Sequence, residues 1–125
     1  MTHYEEALEF RRVMEQPIGA LTRRILSLQA VLVYEEAREV DQATNDLYKD
    51  LDNKRARENL LKELADTCYV CYQFAAAAGW NLDIALTRVH ESNMSKLVDG
   101  KPQRRSDGKI LKGPNYKPPS LIDLV

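Results

Sequence analysis

Two acidic pairs, Glu36/Glu39 and Glu63/Asp66, carry the clearest chemical potential in this chain. Each is spaced i, i+3, the interval that puts two side chains on one face of a helix. In helical projection Ile25, Leu32 and Ala43 fall between Glu36 and Glu39, with Val40 and Leu47 close beside them, so the first pair lies inside an apolar stripe. The row of Glu63 and Asp66 continues toward the C-terminus as Val70, Phe74 and Ala77. A solvated face is the ordinary fate of a Glu/Asp run, but two inward-facing pairs do not fit it. Carboxylates gathered in a half-dry groove repel one another and resist ionisation unless a cation holds them. An all-oxygen donor set suits Mg²⁺, with Mn²⁺ the alternative, and does not suit zinc.

Other reactive side chains make weaker patterns. Cys68 and Cys71 are spaced like a redox or zinc pair, yet they lie inside a helical pattern without a second pair or a well-placed histidine, and read as small core residues. His3 and His90 are isolated and read as solvent-exposed or locally bonded. A di-iron bundle would add histidine in a Glu-x-x-His pattern, which neither acidic pair contains. Trp80, Tyr34, Tyr72 and Phe74 could stack on a base, but aromatic residues at helical spacing belong more often to a core.

The elements that must position the acids are helices. Thr2 caps a short first helix through Tyr4, Ala7, Leu8 and Phe10, with Pro17 marking its break. A long second helix is expected from near Pro17 to Leu47, and the charged stretch 49–57 makes the turn. Asp52 or Asn53 caps a third helix that places Leu60, Leu61, Leu64, Cys68, Cys71 and Ala75 on one side and the acidic row on another, so both sides need neighbours. Gly79 ends it. Asn81 caps a fourth helix with Leu82, Leu86 and Val89 on one face, which Asn93 and Lys96 extend. Beyond Val98 the composition turns to Gly, Pro, Lys and Arg, and Asp107-Gly108 fits a tight turn between Arg104-Arg105 and Ile110-Leu111. The expected fold is all-α, four to five helices over residues 1–98, with a hairpin or extended tail over 99–125 as part of the same domain.

With 125 residues, 44% of them hydrophobic, the chain can bury one core. Charged residues make up 30% but balance to a formal net charge of −1, so no global field recruits nucleic acid or an anionic membrane. The longest apolar run, 68–80, is too short to span a bilayer. The N-terminus lacks a signal-peptide pattern, and an intracellular, cytoplasmic location with reduced thiols is the expectation.

The run Glu35-Glu36-Ala37-Arg38-Glu39, followed by Glu63-Leu64-Ala65-Asp66, resembles the signature of the MazG-like, all-alpha nucleoside triphosphate pyrophosphohydrolases. The wider superfamily includes dimeric dUTPases. The stretch 90–97, with Asp107-Gly108-Lys109 and Leu111-Lys112-Gly113-Pro114-Asn115-Tyr116, is similar to small stand-alone members, many of them phage-encoded and so acting in a host cytoplasm. The resemblance covers roughly residues 20 to 120. It implies a MazG-like bundle that cleaves a nucleoside triphosphate, with a deoxynucleotide the expected substrate, between the α- and β-phosphates. It makes Glu36, Glu39, Glu63 and Asp66 the metal ligands and Asn93 and Lys96 phosphate contacts, with Lys112 and Tyr116 weaker candidates in the tail. Glu35, one step round from the ligand row, would orient or deprotonate the attacking water. Gln29, two turns before Glu36 on the same face, is a candidate for base selection, because an amide between Ile25 and Leu32 needs a partner. A homodimer or homotetramer is expected from the family and from the two-faced third helix. The rival readings are a dUTPase-like member, distinguished by its preference for dUTP, and a non-catalytic helical interaction module, whose stability would not respond to Mg²⁺.

Overall fold

A computed structural model describes residues 1–125 and contains four α-helices and no β-strand beyond isolated bridges. They are α1 (His3–Val13), α2 (Arg23–Lys49), α3 (Lys54–Ala78) and α4 (Leu82–Met94), followed by a 3₁₀ turn, Ile122–Leu124. The chain gathers into two compact units, Met1–Trp80 and Asn81–Val125, so α4 groups with the tail.

Each helix begins where a short polar side chain satisfies a free backbone N–H. Thr2 forms a reciprocal capping box with Glu5. Thr22, Asn53 and Asn81 accept from the N–H groups of Ile25, Ala56 and Ile84 at 3.1, 3.1 and 3.2 Å. Helix α2 therefore starts six residues later than the Pro17 signal suggested. The intervening segment is held instead by α3: the N–H groups of Gly19 and Ala20 donate to the carbonyls of Ala76 and Ala77. Gly79 ends α3 in the left-handed conformation, at φ 85°, and a Cβ there would stand 3.0 Å from the Gly19 Cα.

In the first unit, α3 packs against both α2 and α1. The residues of α2 that lose solvent are Ile25, Gln29, Val33, Glu36, Val40, Ala43 and Leu47, a single stripe at i, i+3/i+4 spacing. Small side chains let the helices approach closely, with Ala7, Ala43, Ala75, Ala76 and Ala77 all buried. On the α1 side the buried Arg11 donates through Nε to the Pro17 carbonyl at 2.7 Å and through a guanidinium nitrogen to Gln73 Oε1 at 3.3 Å.

Several side chains expected inside are not. Leu61 and Leu64 are 69% and 47% exposed and Cys68 is exposed, so the second face of α3 stays open within one chain. His3 and His90 are exposed as expected, His3 meeting Tyr72 edge-on at 5.8 Å between centroids.

In the second unit α4 ends at Met94 with Ser95 as its cap, so Lys96 lies beyond the helix instead of extending its face. Asn93 and Leu86 are exposed, while Leu82 and Val89 are half-buried. The tail is ordered by its own bonds: Ser92 Oγ donates to the Lys117 carbonyl at 2.7 Å, and Arg88 forks onto Asp123 at 2.6 and 3.0 Å. The expected turn at Asp107-Gly108 forms, with Arg104 and Ile110 bridged across it. No helix is long and apolar enough to cross a membrane.

Candidate metal centre

The antiparallel seam of α2 and α3 brings three of the four predicted acids together. Carboxylate oxygens of Glu36, Glu39 and Glu63 all lie within 4.8 Å of one another. Glu63 is the most enclosed, at 7% exposure; Glu36 is half-buried and Glu39 is at the open rim. The expectation that both members of each pair turn inward thus holds for Glu36 and Glu63 and is relaxed for their neighbours. An i, i+3 pair subtends about 60° around the helix, so when one member centres on the seam the other reaches its edge.

Asp66 is engaged differently. Its Oδ2 accepts from Lys62 Nζ at 2.8 Å, and the same ammonium reaches Glu63 Oε1 at 3.2 Å. Sequence reasoning passed over Lys62, although the opposite charges at i, i+4, Lys62 and Asp66, are a readable signal.

The buried side-chain oxygens without a hydrogen-bond partner are Gln29 Oε1, Glu36 Oε2 and Glu63 Oε2, all on residues of this α2/α3 seam. Buried acceptors of this kind are rare and costly. The Glu36 carboxyl is held above its ordinary pKa, first by loss of solvent, then by its contact with Glu39, and then by the charges of Glu39, Asp66 and Glu63. A hard divalent cation would satisfy the two orphaned carboxylate oxygens and offset the crowded charge, so the donor set fits Mg²⁺ or Mn²⁺.

The raised Glu36 value makes a prediction for the metal-free protein. A carboxyl whose folded pKa lies above its unfolded one stabilises the fold fully below the ordinary glutamate value near 4.5 and loses that contribution as pH rises through the folded value. Glu36→Gln should therefore be more stable than wild type at pH 7.5 in the presence of a chelator, and the gap should close as pH falls toward the ordinary glutamate value near 4.5. Denaturant unfolding at several pH values measures it; a gap that widens on acidification has the wrong sign for this origin.

The remaining candidates stand outside the acidic cluster. Glu35 is exposed, in a shallow cleft that it shares with Arg38, Gln42 and Glu39 of the acidic cluster. Gln29 is 7% exposed, within the α2 stripe. In the second unit Gly113 packs against the backbone of Lys96, where a Cβ would come 2.9 Å from its carbonyl oxygen. That approach sets the Lys96 backbone beside the segment that carries Lys112 and Tyr116, where the Lys112 ammonium lies 4.8 Å from the centre of the Tyr116 ring. Cys68 and Cys71 make no metal set; burial and then Cys68 push the Cys71 thiol up in pKa, away from reactivity.

No curated protein shows a significant match to this chain. A protein family does: residues 2–93 match the one described as phosphoribosyl-ATP pyrophosphohydrolase, PRA-PH, a span that contains Gln29, Glu35, all four acids and Asn93 but ends before Lys96, Lys112 and Tyr116. With most of its length matched and an all-helical fold to go with it, the chain belongs to the PRA-PH family of the MazG-like all-α NTP pyrophosphohydrolase superfamily, and its reaction class is pyrophosphohydrolysis of a nucleotide phosphoanhydride.

Proposed function

We propose that the chain hydrolyses a nucleoside triphosphate, preferentially a deoxynucleotide, to the monophosphate and pyrophosphate, with Glu36, Glu39, Glu63 and Asp66 as ligands for Mg²⁺ or Mn²⁺. The observation that carries this reading is the pair of orphaned carboxylate oxygens, Glu36 Oε2 and Glu63 Oε2, inside a cluster of three acids. A divalent cation there supplies charge neutralisation for the polyphosphate and a more acidic attacking water. The chain's own residues do the rest. Glu35, next to the ligand row and open to solvent, accepts the proton of that water. Asn93 and Lys96 bind phosphate oxygens through an amide and an ammonium, and Lys112 and Tyr116 act beside them.

Gln29 reads the base. Its buried, unpartnered Oε1 supports this role, and the seven-residue separation from Glu36 corresponds to about 10 Å of helix, the span from the phosphates of a nucleotide to its base edge. Gln29→Ala should change the kcat/KM ranking of dNTPs, by about tenfold for the preferred base, because a lost buried hydrogen bond discriminates strongly. An unchanged ranking would remove it from the pocket.

A homodimer or homotetramer fits the open apolar surface of the first unit, where Leu28, Leu32, Leu61 and Leu64 are between 41% and 69% exposed. The family match favours a second reading, phosphoribosyl-ATP as the substrate, since that is the substrate in the family's description. A panel of dNTPs, NTPs and phosphoribosyl-ATP with pyrophosphate detection separates the two, and a strong preference for dUTP would single out the dUTPase-like variant.

A further inference from the structure

Lys62 occupies an unusual position for a helix-surface lysine. Its ion pair with Asp66 has the i, i+4 spacing that any exposed helix can make. Its contact with Glu63 does not, because residues i and i+1 point about 100° apart around a helix. The ammonium nonetheless touches both, taking one oxygen from each of the two α3 carboxylates. One of these belongs to Glu63, which is 7% exposed and whose other oxygen has no partner. Lys62 itself is 62% exposed along its side chain, so it can leave without disturbing the packing.

We infer that Lys62 is a tethered counter-ion of the acidic centre: it competes with a divalent cation for Glu63 and Asp66 and so sets the affinity of the centre for metal. This rests on the reading of the acids as metal ligands. The ammonium holds oxygens of Glu63 and Asp66 that a cation bound there would need, and its positive charge would repel that cation. Both effects weaken metal binding. Without metal, the same contact relieves repulsion among the carboxylates, so Lys62 stabilises the empty centre at the expense of the filled one.

The test is Mn²⁺ binding to the full chain, by calorimetry and by loss of the free-ion paramagnetic resonance signal. Wild type is compared with Lys62→Met, which keeps the stem and removes the charge, and with Lys62→Gln as a second neutral replacement. Arg55→Met controls for general charge, since it removes a cation from the same helix about 12 Å along from Glu63. Both Lys62 variants should bind Mn²⁺ about five- to tenfold more tightly than wild type, and the control less than about twofold. In a thermal melt, Lys62→Met should fall below wild type with chelator present and gain more from saturating Mn²⁺. If wild type binds Mn²⁺ and the Lys62 variants match it or the control, the counter-ion role is wrong and the metal reading stands. If no protein in the series binds Mn²⁺, both are wrong together.

Discussion

Glu63→Gln is expected to reduce pyrophosphate release by a factor on the order of 10² or more, while leaving the metal-free protein as stable as wild type or more so. The two halves of this result come from the same geometry. Glu63 is 7% exposed, its Oε2 has no hydrogen-bond partner, and oxygens of Glu36 and Glu39 lie within 4.8 Å. Without a cation, its negative charge is stored repulsion. Replacing the carboxylate by an amide keeps volume, removes the charge, preserves an oxygen for Lys62 Nζ, and offers an N–H to the Glu36 carboxylate. With a cation, the same replacement removes a ligand charge from the most enclosed position of the set. Mg²⁺ should consequently raise the melting temperature of wild type more than that of the variant. Equal shifts, or normal Mg²⁺-dependent turnover in Glu63→Gln, would return these acids to the role of a crowded surface.

The second large effect is on folding and lies away from the acids. Arg11→Met should destabilise the chain by about 2–4 kcal/mol, because the buried Gln73 Oε1 and the part-buried Pro17 carbonyl both lose their charged donor. Gln73 in turn donates to the Ala7 carbonyl at 3.5 Å, so one guanidinium ties α1, the segment after it and α3 into a single polar network. Denaturant unfolding measures the loss, and it should appear as a shift in midpoint with little change in slope. Turnover per folded molecule should stay near wild type at low temperature, since α2 and the acidic stretch of α3 make none of these bonds. A variant as stable as wild type would mean that the network is dispensable.

These two residues also mark what the sequence does and does not disclose. The acidic pairs are legible because their spacing matches the helical repeat and their neighbours in projection are apolar, and the caps at Thr2, Asn53 and Asn81 are legible because capping is local chemistry. Arg11 is not. A basic residue near the end of a short helix reads as a solvated partner of the helix dipole, and its burial depends on Gln73, sixty-two positions away. The start of α2 is hidden for a related reason: Pro17 is a fair helix-start signal by itself, but the chain after it is drawn to the α3 carbonyls of Ala76 and Ala77, and the helix begins only after Thr22. Leu61, Leu64 and Cys68 were expected in the core because a helix with two apolar faces needs two neighbours, and one chain supplies cover for only part of that surface. Lys62 was hidden by the acids themselves, since the spacing that identifies a candidate ligand says nothing of which cation holds it.

The central claim is that Glu36, Glu39, Glu63 and Asp66 form one divalent-metal centre, and anomalous diffraction from a crystal grown with Mn²⁺ tests it most directly. The account predicts an anomalous peak bounded by these four carboxylates, with Lys62 Nζ withdrawn from Asp66 and Glu63. Density without a peak there, with the lysine still bridging the two α3 acids at saturating Mn²⁺, would contradict it.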